Sequence, residues 1–309
     1  MADTVIKESK NIVKIVGTLV ENSLKPGSYK DSTTGEEKEY ISGSLVIRVE
    51  QTVSDKQEIE EIPVYTWVPK FTKSGKNNPG YDSMAKAMNT FVSLAATGNE
   101  STADKVSITM ANIRENLYSA DGETVFSTPR IFTNFANKPG QNTVAPEATF
   151  TNDIVIGKIT EEVNKEGLPT GRLKIIGMIS NYDGSMSNID YYAENKDAIN
   201  YIRSYWQEGE TVQISGRIRW TNKTEHIEVP TRFGEPVFKN KTVTCKELII
   251  TADSSDMLTP EQKFTKAEIE RGQELRATKV EKEKQNAKNK KNGTNIGKPT
   301  TTNTPDYGF

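Results

Sequence analysis

The chain has 309 residues, 34% of them hydrophobic and 27% charged, and a formal net charge of −2, which leaves room for about two domains of ~150 residues each. No run reaches the ~18 apolar residues of a membrane-spanning helix, and the N-terminal MADTVIKESKN lacks the apolar core of a secretory leader, so a cytoplasmic location is expected. A single cysteine, Cys245, and a single histidine, His226, exclude an intramolecular disulfide framework and the usual structural zinc sites, and leave no Ser-His-Asp or Cys-His set unless His226 itself is the base.

Strand-like alternation opens the chain over Asn11–Glu21, Tyr40–Glu50 and Glu60–Val68, with Gly, Pro, Ser and Asp between the runs. The period then changes. Met84, Ala87, Met88, Phe91, Val92 and Ala95 share one helical face, with Asp82 or Ser83 as N-cap and Gly98 past the end. Strands resume over Asp104–Ile113, with Val106, Ile108 and Met110 expected inside, and around Arg130–Phe135. The Pro/Gly/Asn-rich NKPGQNTVAPEA reads as a linker.

The same order then repeats. NDIVIGKITEE, GRLKIIGMIS and SNIDYYA are three strands; ENKDAINYIRSYWQEG is a short helix with Ile199, Ile202, Tyr205 and Trp206 toward the core; TVQISGRIRW and KTVTCKELIITA close the unit. Strand, strand, strand, helix, strand, strand is the layout of the five-stranded OB-fold barrel, and glycines within the strands suit its bends. The expected fold is mainly β, with two OB-like barrels that each carry a helix between strands three and four. A helix-covered β-sandwich gives a similar pattern. The boundaries run 1–136 for the first barrel, 137–150 for the linker, 151–256 for the second barrel, 257–285 for a charged helix and 286–309 for a disordered tail. That helix is expected to start at Thr259–Pro260, to be marginal and mostly solvated, and to be interrupted at Gly272.

Catalysis finds no support: GxxxxGK[ST], GxGxxG, HExxH and GxSxG are all missing, and no spacing singles out an acid/base pair, a metal cluster or a cofactor site. Single-strand binders lay the nucleic-acid backbone along a cationic groove and stack bases on aromatic rings, so the two residue types must share a face. With Ile62, Val64, Thr66 and Val68 inward, Tyr65 and Trp67 point outward, followed by a loop that interleaves Lys70, Phe71, Lys73 and Lys76. Arg114, Tyr118, Phe126, Arg130, Phe132 and Phe135 surround the fourth and fifth strands of the first copy. The second copy offers Tyr191 or Tyr192, Arg217, Arg219 and Trp220, continuing into a loop with Arg232, Phe233, Phe238, Lys239 and Lys241. Cys245 and His226 read as an ordinary strand residue and an ordinary surface residue. From Thr259 onward there are eleven basic and seven acidic residues, so the body is the acidic part and any polyanion site on it is a local patch.

The chain ends TPDYGF, with Asp306, Tyr307 and Phe309 at its tip. A tether ending in an acid and aromatics resembles the tail by which bacterial and phage single-stranded DNA-binding proteins dock on partners, although this tail has one acid where that family has several. Two OB-like repeats, interleaved basic and aromatic loops and a terminal Phe together resemble a bacteriophage single-stranded DNA-binding protein with tandem OB barrels. That resemblance implies coating of exposed DNA in phage replication or recombination, recruitment of polymerase, helicase or recombinase through Asp306, Tyr307 and Phe309, no cofactor and no catalysis. Two other readings stay open: a β-rich virion or baseplate component, and a replication accessory that binds proteins with its barrels and DNA with its basic tail alone.

Overall fold

Alternating β-branched and polar residues can bury one side of a strand only if the sheet closes or is covered, and here it closes. The computed structural model describes residues 7–31, 34–53, 55–139, 145–229 and 237–292. In the first unit, β1 (Asn11–Asn22), β3 (Glu37–Val53), β4 (Lys56–Pro69), β5 (Lys105–Tyr118) and β6 (Phe126–Phe132) pair in the order β1-β3-β4-β6-β5-β1. The β4–β6 pair is parallel and the others antiparallel. The second unit repeats the circuit with β7 (Glu147–Val163), β8 (Pro169–Ser180), β9 (Met186–Ala193), β10 (Thr211–Val229) and β11 (Val237–Asp253), and its parallel pair is β9–β11. With α1 (Pro79–Thr90) and α3 (Lys196–Tyr205) between the third and fourth strands of each ring, this is OB connectivity.

The rings are fused rather than strung as separate barrels. β1 pairs antiparallel with β7 from Asn11↔Asn152 to Val16↔Glu147, so all strands belong to one eleven-stranded sheet. One hydrophobic cluster runs from Val13, Ile15 and Ile47 in the first ring to Ile154, Ile175 and Ile218 in the second. Gly17 and Gly216 sit where strands cross too closely for a side chain: a Cβ would lie 2.1 Å from the Arg48 carbonyl oxygen and 1.9 Å from that of Ile249. An additional strand, β2 (Lys25–Lys30), in the Gly/Pro/Ser-containing stretch between the first two alternating runs, pairs along β3 and widens the first ring's sheet.

Several expectations change in detail. α1 begins earlier than its apolar face suggested, because Asn78 caps it through Gly80 N–H and Pro79 occupies its first turn. It ends at Thr90, so Val92 and Ala95 turn outward, while Gly98 in the left-handed region closes the short α2 (Leu94–Thr97). Met110 is 72% exposed: the β1–β5 register shifts between Val13↔Ala111 and Ile15↔Ile108, so the extra residue of a bulge throws Met110 out and brings Ala111 and Ile113 in. Trp206 is buried and donates its Nε1–H to Asp253 Oδ2 at 2.9 Å, whereas Tyr205 lies on the open side of α3. The segment read as a loop after Trp220 is a continuation of the β10–β11 ladder as far as Val229↔Val237.

The C-terminal helix, α4 (Lys266–Asn292), is longer and better anchored than a solvated helix. Thr259–Pro260 starts only a short 3-10 turn; α4 itself is capped by Thr265 and Glu268, whose side chains each accept the other's backbone N–H. Gly272 does not interrupt it but lets it approach the second ring, since a Cβ there would lie 2.6 Å from Met186 Cγ. Arg276 then grips Glu115 of β5, and Lys279 grips Asp183 and Ser185 of the second ring, so one helix straps both rings. Residues 286–292, expected in the tail, continue this helix.

Candidate nucleic-acid interface

On β4 the inward set is Ile62, Val64, Thr66 and Val68, all buried, which leaves Tyr65 and Trp67 half-buried on the outer face as the alternation requires. The parallel β6 places Phe132 beside Tyr65, with ring centroids 5.9 Å apart. Pairing of β5 with β6 sets Arg114 opposite Arg130 one step further along the same face. Both guanidiniums lie over aromatic rings: Arg130 is 4.9 Å from the Tyr65 centroid and Arg114 is 5.3 Å from that of Phe132. Arg130 has no carboxylate partner among the described residues, and its contact is with the Tyr65 ring. Trp67, Met110, Asn112, Arg114, Phe132 and Phe135 line a shallow groove of about 100 Å³.

Toward the other edge the face continues onto β3 and β2. Tyr40 lies 5.5 Å and Tyr29 5.9 Å from Trp67, ring centre to ring centre, and the three rings form one shelf. Ser42 and Ser44 stand opposite Trp67 and Tyr65 and keep the middle of the sheet low. Sequence reading overlooked Tyr29 and Tyr40. Tyr40 was legible, since it shares the outward register of Ser42 and Ser44 in a strand already recognised, but β2 carries too little alternation to place Tyr29.

Lys70, Phe71, Lys73 and Lys76 form the hairpin loop after β4, closed by Thr72 N–H to the Lys76 carbonyl at 2.8 Å. Lys70 pairs with Glu39 at 2.7 Å, which holds its ammonium above the usual lysine range, while Lys73 and Lys76 are exposed and have no acidic partner among the described residues. Phe71 is exposed beside them.

The second ring is different, and the expectation for its residues is corrected. Trp220 is 1% exposed and cannot stack a base: it follows Val212, Ile214, Gly216 and Ile218 on the inward register. Its backbone N–H donates to the buried Glu60 of β4, so it packs at the junction of the rings. Arg217 and Arg219 do point outward, but into carboxylates. Arg217 meets Glu58 at 2.6 Å and Glu194 at 2.5 Å, and Arg219 meets Glu194 at 3.1 Å and Glu247 at 3.0 Å. The neighbouring cations follow suit, Arg172 with Glu247 and Lys174 with Asp190. Tyr191 is buried and donates nothing to the surface; Tyr192 is half-buried under Arg172, and burial pushes its phenol up to about 12. Arg232 and Phe233 lie outside the described residues, as do the side chains of His226, Phe238, Lys239 and Lys241 and the terminal Asp306, Tyr307 and Phe309.

Two fused rings of OB connectivity, the first with an outward face of aromatics and arginines, define a mainly β OB-fold protein. The chain belongs to the YorF family, whose profile matches residues 10–286. No curated protein matches it. Among solved structures it is similar to the wild-type single-stranded DNA binding protein from Thermus aquaticus, at 9% identity and a TM-score of 0.48, over 82% of this chain and 96% of that one. A deletion mutant of the Thermus aquaticus protein gives 10% identity and a TM-score of 0.46, over 82% and 98%. A replication protein A heterotrimer bound to single-stranded DNA gives 8% identity and a TM-score of 0.23, over 89% and 70%. No described helix is long and apolar enough to cross a membrane.

Proposed function

We propose that this chain binds single-stranded DNA without sequence preference on the outer face of its first ring. The observation that carries the reading is the alignment of Trp67, Tyr65 and Phe132 with Arg114 and Arg130 across β4, β6 and β5. Every base has a π-face, so rings at this spacing accept any sequence, and flanking guanidiniums take the phosphates. Lys73 and Lys76, exposed in the loop that follows Trp67's end of β4, add positive charge. The equivalent face of the second ring supports no such role, because a phosphate would have to displace carboxylates already bound to Arg172, Arg217 and Arg219. That ring serves as scaffold.

The reading extends to coating exposed strands in the host cytoplasm during phage replication or recombination, with recruitment of partner proteins through Asp306, Tyr307 and Phe309. It involves no catalysis, metal or cofactor. The resemblance of the chain's last residues to acidic-aromatic docking tails supports the recruitment step.

Intrinsic tryptophan fluorescence titrated with oligo-dT tests the core of the proposal. Trp206 and Trp220 are buried, so a stacking base can quench Trp67 alone. Saturable quenching that weakens with salt, is much smaller with duplex and disappears in Trp67→Phe is the expected result. No quenching, together with no mobility shift at low salt, refutes DNA binding and favours a virion component that uses its aromatic face for self-assembly.

A further inference from the structure

Beyond the barrel, β5 and β6 continue as a two-stranded ribbon whose pairs alternate between two faces. Ile113↔Ile131 points into the core, and Asn112↔Phe132, Arg114↔Arg130, Asn116↔Thr128 and Tyr118↔Phe126 all fall on the opposite register, that of the groove. At the far end the Tyr118 and Phe126 rings stack on each other, centroids 5.4 Å apart and planes at 25°. They are 46% and 48% exposed, so the pair contributes little to the core and leaves flat aromatic surface in water.

We infer that Tyr118 and Phe126 form a second base-stacking platform, so that a bound strand runs from Trp67 and Phe132 past Arg114 and Arg130 along the ribbon, and affinity rises in a step once the strand is long enough to reach it. This rests on the single-strand reading of the first ring's face. Phe126 lies six residues from Phe132, or about 20 Å along the strand at ~3.4 Å per residue. Bases stacked at ~3.4 Å would fill that distance with about six nucleotides, and a stretched strand with fewer. The two arginines stand in the interval, where phosphates between the platforms would lie.

The ribbon is also held in place from behind. Glu115, on the register opposite to the arginines, is gripped by Arg276 of α4, and Gly122 at the ribbon's tip lies against Lys284 and Lys288 of the same helix. A platform fixed before binding loses little freedom when a base arrives.

The test compares oligo-dT of roughly 4 and 16 nucleotides, the ends of the range covered by one OB fold, on the wild type and on Tyr118→Ala/Phe126→Ala. Binding is read by Trp67 quenching and by anisotropy of labelled DNA. The double variant is expected to bind the long strand about 5- to 150-fold more weakly, the range for one lost stack, and the short strand within about twofold of wild type. An unchanged melting temperature shows that the exposed pair was not holding the fold. Equal loss on both lengths, or no loss on either, overturns the platform while leaving the barrel face intact. A wild type that binds neither length overturns the parent reading and this inference with it.

Discussion

Replacing Arg276 by Ala tests whether α4 is part of the folded body or an appendage. The guanidinium donates from Nε to Glu115 Oε2 at 2.8 Å and from Nη2 to Oε1 at 2.5 Å, and the Glu115 side chain is only 3% exposed. This proximity raises the Arg276 pKa further above its ordinary value, through hydrogen bonding to Glu115 first. Removing one partner of a buried, hydrogen-bonded pair typically costs ~3–5 kcal/mol, because the remaining charge is stranded. Glu115 would keep two donors, Ser127 Oγ at 2.7 Å and Asn188 N–H at 3.3 Å, which places the cost at the lower end, about 3 kcal/mol. At ~2–4 °C per kcal/mol, the melting temperature should fall by roughly 6–12 °C. Circular dichroism melts give the number, and limited proteolysis should show α4 released first. Glu115→Gln in the Arg276→Ala background should recover part of the loss, since no charge is then stranded. Lys266→Ala is the control, because its contact with Glu270 is open to water and should leave the melt unchanged. A loss below about 1 kcal/mol for Arg276→Ala, the level of an exposed pair, would refute the strap.

Arg130→Ala should weaken oligo-dT binding several-fold and lower the salt slope by about 0.7, one phosphate contact for a single strand, whereas Arg217→Ala should change neither by more than about twofold; the reverse ranking in salt titrations would move the DNA to the second ring. Burial pushes the Glu60 carboxyl up, against the Trp220 N–H and Thr221 hydroxyl that favour its charged form. The folded chain therefore holds that proton more tightly than the unfolded one, so Glu60's contribution is greatest below the unfolded-chain value of ~4.3 and falls as pH rises through the raised folded value. Urea midpoints between about pH 4 and 7 should decline less steeply with pH in Glu60→Gln than in wild type, and parallel curves would remove Glu60 as the cause. Burial, followed by the nearby Glu247, raises the Cys245 thiol to about 11. Its alkylation by iodoacetamide should be slow at neutral pH and climb until about pH 11, while the urea-unfolded chain levels off near ~8.5; matching profiles would show the thiol to be open in the folded state.

The functional reading turns on a difference between two rings built alike. In the first, the outward positions of the third, fourth and fifth strands carry arginine and aromatic residues; in the second, Tyr192, Arg217 and Arg219 share the corresponding face with Glu247 of the fifth strand. In the first ring Arg130 and Arg114 lie over Tyr65 and Phe132. In the second, Arg217 and Arg219 are clamped by Glu58, Glu194 and Glu247. Fusion contributes to this, since Glu58 comes from β4 of the first ring and reaches across to β10.

Period-two alternation marked the principal strands along the chain and offered Ile62, Val64, Thr66 and Val68 as the inward set, because side chains of one parity share a face, and the switch to a helical period marked the helix inserted in each unit. Trp220 was determined in the same way: its parity with Ile214 and Ile218 marks it as inward, and its appeal as an aromatic beside arginines does not outweigh that register. The bulge at Met110, the β1–β7 fusion, the docking of α4 and the neutralisation of Arg217 were decided by tertiary structure only. Each depends on partners brought from far along the chain, as with Glu115 and Arg276 or Glu58 and Arg217, which lie 161 and 159 residues apart. Local pattern records how a residue faces its own strand or helix; what stands opposite it is set when the sheet closes, and here that places carboxylates against Arg217 and Arg219.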